Sequence, residues 1–236
     1  MSISRSRKRS DDFSRQKEIT TEVATTSPIR EVPSRGPQLV VVRHGETEWT
    51  ERGLLHGRLD SPLSATGTRH SELTAQRLRG EKFDALFSSP KGRAMQTAVT
   101  LGQAIGLAPV PLDDLREADF GWLEGKPIKQ IDPDGPGNKF LRPVVWLTRT
   151  LTAERPSHVA KRVAAAVETM TRQFPQGRVL VVTHWGVISM MVAQLVDNDL
   201  SKWRGRGPWA ACGLSELHAV NGAWQVVRLN DHAHIR

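Results

Sequence analysis

From residue 38 the chain alternates short runs of consecutive apolar residues with longer stretches whose apolar positions recur at helical spacing. The run QLVVV reads as a buried strand, and a helical pattern follows over 66–78. DALFSS is a second strand, 91–105 a second helix, and PVPL at 109–112 a short extended piece. Beyond a Pro/Gly-rich excursion at 131–143, a helical stretch over 157–174 leads into RVLVVTHWG, whose VLVV has the continuous apolar character of a strand covered on both faces. A helix over 187–195 comes next. The chain closes with GLSELHAV and AWQVVRL on either side of Asn221-Gly222, a dipeptide that favours a two-residue hairpin turn. Strand and helix in alternation predict a doubly wound α/β domain.

Residues 1–36 break this pattern. They carry little apolar periodicity, are rich in Ser, Thr, Arg and Glu, and end in PSRGP, so a disordered basic N-terminal extension is expected, with one domain over 37–236. The segment holds eight Lys/Arg against five Asp/Glu. The net charge of +8 therefore resides mostly in the domain, which points to an anionic partner and makes a nucleic-acid role for the tail the lesser reading. The single cysteine, Cys212, excludes an internal disulfide and is expected as a small buried residue. No run of about 18 apolar residues marks a membrane span, and the N-terminus lacks the apolar stretch of a secretory leader, so a cytoplasmic protein is expected.

The candidate chemistry gathers where strands end. VVV delivers Arg43 and His44, VLVV delivers Thr183 and His184, and the helix after DALFSS carries Arg93 in its first turn. In open α/β sheets the ligand crevice lies outside the carboxyl ends of the strands. Two arginines and two histidines there form a positive pocket, without metal-ligand spacing, that suits phosphate.

Five separated motifs, RHGETEW, LLHGRLDSPLSATG, SSPKGRAMQTA, LREADFGWLEG and VVTHWG, occur in an order that resembles the histidine phosphatase superfamily, which includes phosphoglycerate mutases and phosphomonoesterases. The resemblance runs from about 38 to 234. It implies a three-layer α/β/α sandwich around a mostly parallel central sheet, phosphoglycerate mutase-like. It implies His44 as the nucleophile that becomes a phosphohistidine, with Arg43, Arg93 and His184 holding the non-bridging oxygens. Glu117 matches the general acid, and Glu124 is a nearby carboxylate expected to support the loop. Thr47 and Thr50 are candidate phosphate contacts, with Thr50 where the family often has Asn. His56 stands where a Gln is common and, with Gly57, bounds the substrate side; Trp185 replaces a usual Gly and either narrows the pocket or packs beneath it.

Within the family, a short interval between Glu117 and His184 and the GLSELHAV-NG-AWQVVRLND ending resemble the phosphatase branch. The resemblance thus implies a phosphomonoesterase acting on a small phosphorylated metabolite such as a sugar phosphate, a phosphoglycerate-type acid or a nucleotide-loop phosphate. Mutase-type transfer and a non-catalytic phospho-ligand-binding module are the alternatives. No cofactor and no metal are expected, since His232 and His234 of LNDHAHIR lack a third ligand and read as structural. A homodimer is left open. A signature that usually supplies Gly, Glu and Ser toward substrate is degraded here to ERPSHVAKR, which offers Ser157 and His158, and Trp122, Trp146 and Trp185 suggest an apolar wall beside the phosphate.

Overall fold

Strands β1 (Gln38–Arg43), β2 (Ala85–Ser88) and β4 (Arg178–Thr183) form the centre of a six-stranded sheet, in a computed structural model that describes residues 36–131 and 151–236. With β3 (Val110–Pro111), β5 (Leu214–Val220) and β6 (Ala223–Asp231) the order is β3-β2-β4-β1-β5-β6. The first four strands are mutually parallel, and the β5–β6 hairpin adds an antiparallel edge. Its turn is the expected one, because Asn221 and Gly222 both take positive φ, 51° and 81°.

Each central strand feeds both faces of the sheet. Val40, Val42, Leu86, Leu180 and Val182 pack with Ala75 and Leu78 of α2 (Ala65–Leu78) and Ala94, Ala98 and Leu101 of α3 (Gly92–Ile105). Their alternates Leu39, Val41, Phe87, Val179 and Val181 pack with Val159, Val163 and Met170 of α5 (Pro156–Gln173) and Val187, Ile188 and Met191 of α6 (Trp185–Leu195). Successive side chains of a strand point to opposite faces, so an unbroken apolar run is what a sheet between two helical layers requires. The sandwich expected from the sequence is therefore present.

Three local features differ from the sequence reading or fall outside it. Short helices α1 (Glu48–Glu51) and α4 (Ile128–Ile131) are too brief to produce a periodic pattern. Helix α6 begins at Trp185, two residues before the expected start, because His184 already has the extended conformation of an N-cap. The expected extension over 1–36, apart from Gly36, and most of the Pro/Gly-rich excursion lie outside the described residues, as does Trp146. No helix among the described residues is long and apolar enough to cross a membrane.

Away from the carboxyl edge, Glu216 of β5 is 5% exposed and sits among Arg178, Arg228 and His218. Burial would raise its pKa, but hydrogen bonds from His218 and Arg228 and the charge of Arg178 overcome this and hold it at about 2. A carboxylate depressed on folding stabilises the native state above its ordinary titration range and loses that contribution as pH falls toward 2. The contribution is on the order of 3 kcal/mol. Glu216→Gln should lower Tm at neutral pH by roughly 6–12 °C and flatten the loss of stability between pH 4.5 and 2, as read by thermal melts across that range.

Candidate active site

The parallel register fixes which residues meet. Arg43 of β1 lies opposite Thr183 of β4, and Ser88 of β2 opposite Val182, so the next residues in each chain segment, His44, His184 and Ser89, leave the sheet side by side. His44 donates its backbone N–H to the Thr183 carbonyl at 2.9 Å, and Ser89 donates to Val182 at 2.9 Å. The two histidine rings stand edge to face with centroids 5.1 Å apart.

His44 is buried, and its Nδ1 lies 2.8 Å from the Gly45 carbonyl. A carbonyl only accepts, so Nδ1 carries the proton and Nε2 presents a lone pair. The Nε–H of Arg93 donates to that Nε2 at 3.3 Å, which agrees with the same tautomer. Burial first, and then the charges of Arg93 and Arg43, push the imidazole pKa well below the ordinary histidine value. His44 is thus a neutral ring with its free nitrogen turned toward a cation.

Arg93, at the start of α3, is fully buried rather than on the helix surface. Its Nη1 donates to the Leu59 carbonyl at 3.1 Å and to Asp60 at 2.8 Å, and its Nη2 to the Gly57 carbonyl at 2.9 Å. Four of its five N–H groups are therefore engaged, which fixes the plane of the fork and leaves one Nη2 donor for a ligand. Gly57 must lack a side chain, since a Cβ would come within 2.0 Å of Glu124 Oε1. Glu124 in turn accepts from the backbone of Arg58 at 2.8 Å, Leu59 at 2.7 Å and Phe120 at 2.9 Å, tying the 57–59 loop to the segment after Glu117. That is the loop-supporting position expected of it.

His184 is fully buried, with Nε2 2.7 Å from Ser89 Oγ and Nδ1 without a partner. Ser89 Oγ also accepts from the Lys91 backbone at 3.3 Å. The hydroxyl keeps its proton and a second lone pair for Nε2, so Ser89 holds the ring in place in either tautomer. Burial, then Arg93, keeps this ring neutral as well.

Glu117 is 7% exposed; its Oε1 accepts from Ala118 N at 2.9 Å and its Oε2 from Gly186 N at 3.1 Å. Burial raises its pKa above the ordinary carboxylate range, and the two N–H donors pull it only partway back. A Cβ on Gly186 would lie 2.6 Å from Glu117 Oε1, which explains why glycine follows Trp185 at the head of α6. The segment bearing Glu117 is anchored from two sides. Thr183 Oγ1 donates to the Leu115 carbonyl at 2.7 Å, and Arg162 Nη1 donates to the carbonyls of Asp114 and Arg116 at 2.8 and 2.6 Å. Arg162 is paired with Glu154 at 2.9 Å, so the first and last residues of ERPSHVAKR hold Glu117 in place while Ser157 and His158 lie exposed.

The remaining candidates divide. Thr47 is fully buried and its hydroxyl caps α1, accepting from Thr50 N at 3.1 Å and contacting Thr50 Oγ1 and His56 Nε2 at 2.9 Å each. Thr50 and His56 are half-buried, and the His56 ring lies tilted against Trp49 with its pKa lowered to about 4 by burial and by Arg93 and Arg43. His56 lies 6.4 Å from His44 between ring centroids, so it stands at the pocket margin. Trp185 is half-buried and packs on the core and against Gly207, the packing alternative. Trp122 is 61% exposed with Lys126 over its ring, which removes it from any apolar wall at the phosphate. His232 and His234 hydrogen-bond to the Asn230 carbonyl and Thr74 Oγ1, at 2.7 and 2.9 Å. Among the described residues no three His, Cys, Asp or Glu side chains are grouped to hold a metal ion.

Asp60, Gly186 and Arg162 were not singled out in the sequence as parts of this site, and Ser89 and Thr183 stood out only as strand ends without a role. Each acts through a neighbour, and only the SSP and THWG contexts hinted at any of them.

The model of the histidine phosphatase superfamily (branch 1) matches residues 39–232. "Uncharacterized phosphatase PhoE" of Bacillus subtilis is 26% identical over 195 residues, covering 83% of this chain and 95% of that protein. "Probable phosphoglycerate mutase GpmB" of Yersinia enterocolitica is 31% identical over 190 residues, covering 79% of this chain and 87% of its own. A mycobacterial glucosyl-3-phosphoglycerate phosphatase solved with VO3 superposes with a TM-score of 0.71 at 26% identity, covering 82% of this chain and 98% of that one. Nearly the whole described domain is thus matched in sequence and in fold, and the protein belongs to the histidine phosphatase superfamily.

Proposed function

We propose that the protein is a phosphomonoesterase that hydrolyses a small phosphorylated metabolite through a phosphohistidine on His44. The observation that carries this reading is the pairing, at one sheet edge, of a histidine held neutral with a buried carboxyl whose pKa burial raises. Such opposed environments support His44 as the nucleophile and Glu117 as the acid.

The substrate phosphate enters between the guanidinium groups of Arg43 and Arg93 and the unpartnered Nδ1 of His184, which in its protonated tautomer joins them in binding the non-bridging oxygens and the charge that builds on them. The Nε2 lone pair of His44 attacks phosphorus as the ester P–O bond breaks. Glu117 gives its proton to the departing oxygen, and the alcohol leaves. The Glu117 carboxylate then takes a proton from water, the hydroxide oxygen bonds to phosphorus, and the P–N bond breaks to return neutral His44. Arg93 Nε–H, which points at Nε2 in the free protein, shifts to a phosphoryl oxygen in the intermediate. In this reading the non-bridging oxygens are held by Arg43, Arg93 and His184, and no step is routed through a metal ion.

The test is phosphate release from a panel of sugar phosphates, phosphorylated hydroxy acids and nucleotide monoesters, with EDTA present. The expected result is release that EDTA does not reduce. Release that collapses in EDTA and returns with a divalent cation would overturn the metal-free reading. No release from any ester, with interconversion of phosphoglycerates, would replace hydrolysis by mutase-type transfer.

A further inference from the structure

The two phosphate-gripping arginines are held very differently. Arg93 has three anchoring acceptors, whereas the guanidinium of Arg43 makes one hydrogen bond among the described residues, from Nη1 to the Trp209 carbonyl at 2.6 Å, and its buried Nε has no partner. The position of that one carbonyl therefore sets where the Arg43 fork points.

Trp209 is gripped on both sides by a single residue. The Asn230 side chain accepts from Ala210 N through Oδ1 at 2.8 Å and donates from Nδ2 to the Pro208 carbonyl at 2.9 Å. The strand brings Asn230 there by an irregularity. Leu214 pairs with Asp231 and Glu216 with Arg228, so two steps along β5 are matched by three along β6. Asn230 lies in this bulge with φ of 51°, and its N–H is taken by Ser215 Oγ at 3.0 Å. Bulges near active sites commonly re-aim one side chain. Here the amide turns from the hairpin onto the 208–210 loop.

We propose that Asn230 is a positioning residue that acts on the reaction through the Trp209 carbonyl and Arg43; the proposal rests on the reading of Arg43 as a phosphate ligand. Asparagine suits the position on two counts. It tolerates the left-handed backbone, and it offers a donor and an acceptor at the same reach, whereas Asp lacks the donor and Gly lacks both.

The test is a double-mutant cycle. Asn230→Gly keeps the backbone conformation accessible and removes only the amide. It should lower kcat/KM for p-nitrophenyl phosphate and weaken vanadate binding, each by about 10- to 100-fold, as small misplacements of binding groups do. In an Arg43→Ala background the same change should alter either quantity by less than about 3-fold. Equal losses in both backgrounds, or a single variant with wild-type values, would overturn the proposal. Asn230→Asp, which removes the Pro208 contact alone, supplies the same cycle if the glycine variant does not fold. A wild-type protein with no turnover would refute the phosphatase reading, and the cycle read on vanadate binding would still decide the role of Asn230.

Discussion

His44→Ala should reduce turnover of every ester by at least about 10⁴-fold while leaving inorganic phosphate bound with an affinity within about 10-fold of the native protein. The loss of turnover is a consequence of the tautomer. With Nδ1–H committed to the Gly45 carbonyl, Nε2 is the nitrogen that can attack, whereas Nε2 of His184 is engaged by Ser89 Oγ. The retained binding reflects how the cradle is built. Arg93 is fixed by Gly57, Leu59 and Asp60, and Arg43 by Trp209, so neither depends on the His44 ring. Turnover and phosphate binding, the latter by calorimetry, check both halves. A variant that lost binding and turnover together would show that His44 mainly organises the pocket.

Glu117→Gln should separate esters by their leaving groups. For an alkyl phosphate, whose alkoxide must be protonated as it departs, kcat/KM should fall by about 10²–10³-fold; for p-nitrophenyl phosphate it should fall by less than about 10-fold. The second step still needs a base for water, so the variant should release a burst of p-nitrophenolate and then stall as phosphoenzyme. pH adds a further sign. Burial raises the Glu117 pKa, so the acid form persists above the ordinary carboxylate range and the rate for alkyl esters falls as pH rises through the raised value. Because the His44 pKa is depressed, the acidic limb should lie well below the ordinary histidine range. Rate profiles with both esters read these limbs. Equal losses in kcat/KM for the two esters would remove Glu117 from the role of acid.

The layers and the positions of the reacting groups were legible because both rest on strong local patterns. Runs such as VVV and VLVV have one stable environment, a sheet covered on both faces, and the residues at the end of such a strand lie at the carboxyl edge. His44, His184, Arg43 and Arg93 could be placed in one crevice on that ground. Glu117 had no such pattern, and family resemblance alone raised it above an ordinary loop carboxylate. Most of the support stayed hidden. Glu154 and Arg162 sit eight residues apart in a segment read as a degraded signature, and the partners of Arg162 include backbone carbonyls, which leave no trace in side-chain identity. Asp60 escapes for a related reason, since it pairs with a guanidinium that only the fold brings close. Thr47 shows the converse: its place beside RHG suggested a phosphate contact, whereas the hydroxyl is occupied in capping α1.

The central claim is the covalent intermediate on His44, and it is tested most directly by quenching Glu117→Gln during turnover of p-nitrophenyl phosphate and mapping the phosphoryl group by mass spectrometry. The mechanism predicts one phosphoryl group on the peptide carrying His44, stable in base and lost in acid, and none on that peptide in His44→Ala. An acid-stable phosphoryl group on another residue, or turnover of the ester with no phosphoenzyme at any time, would contradict it.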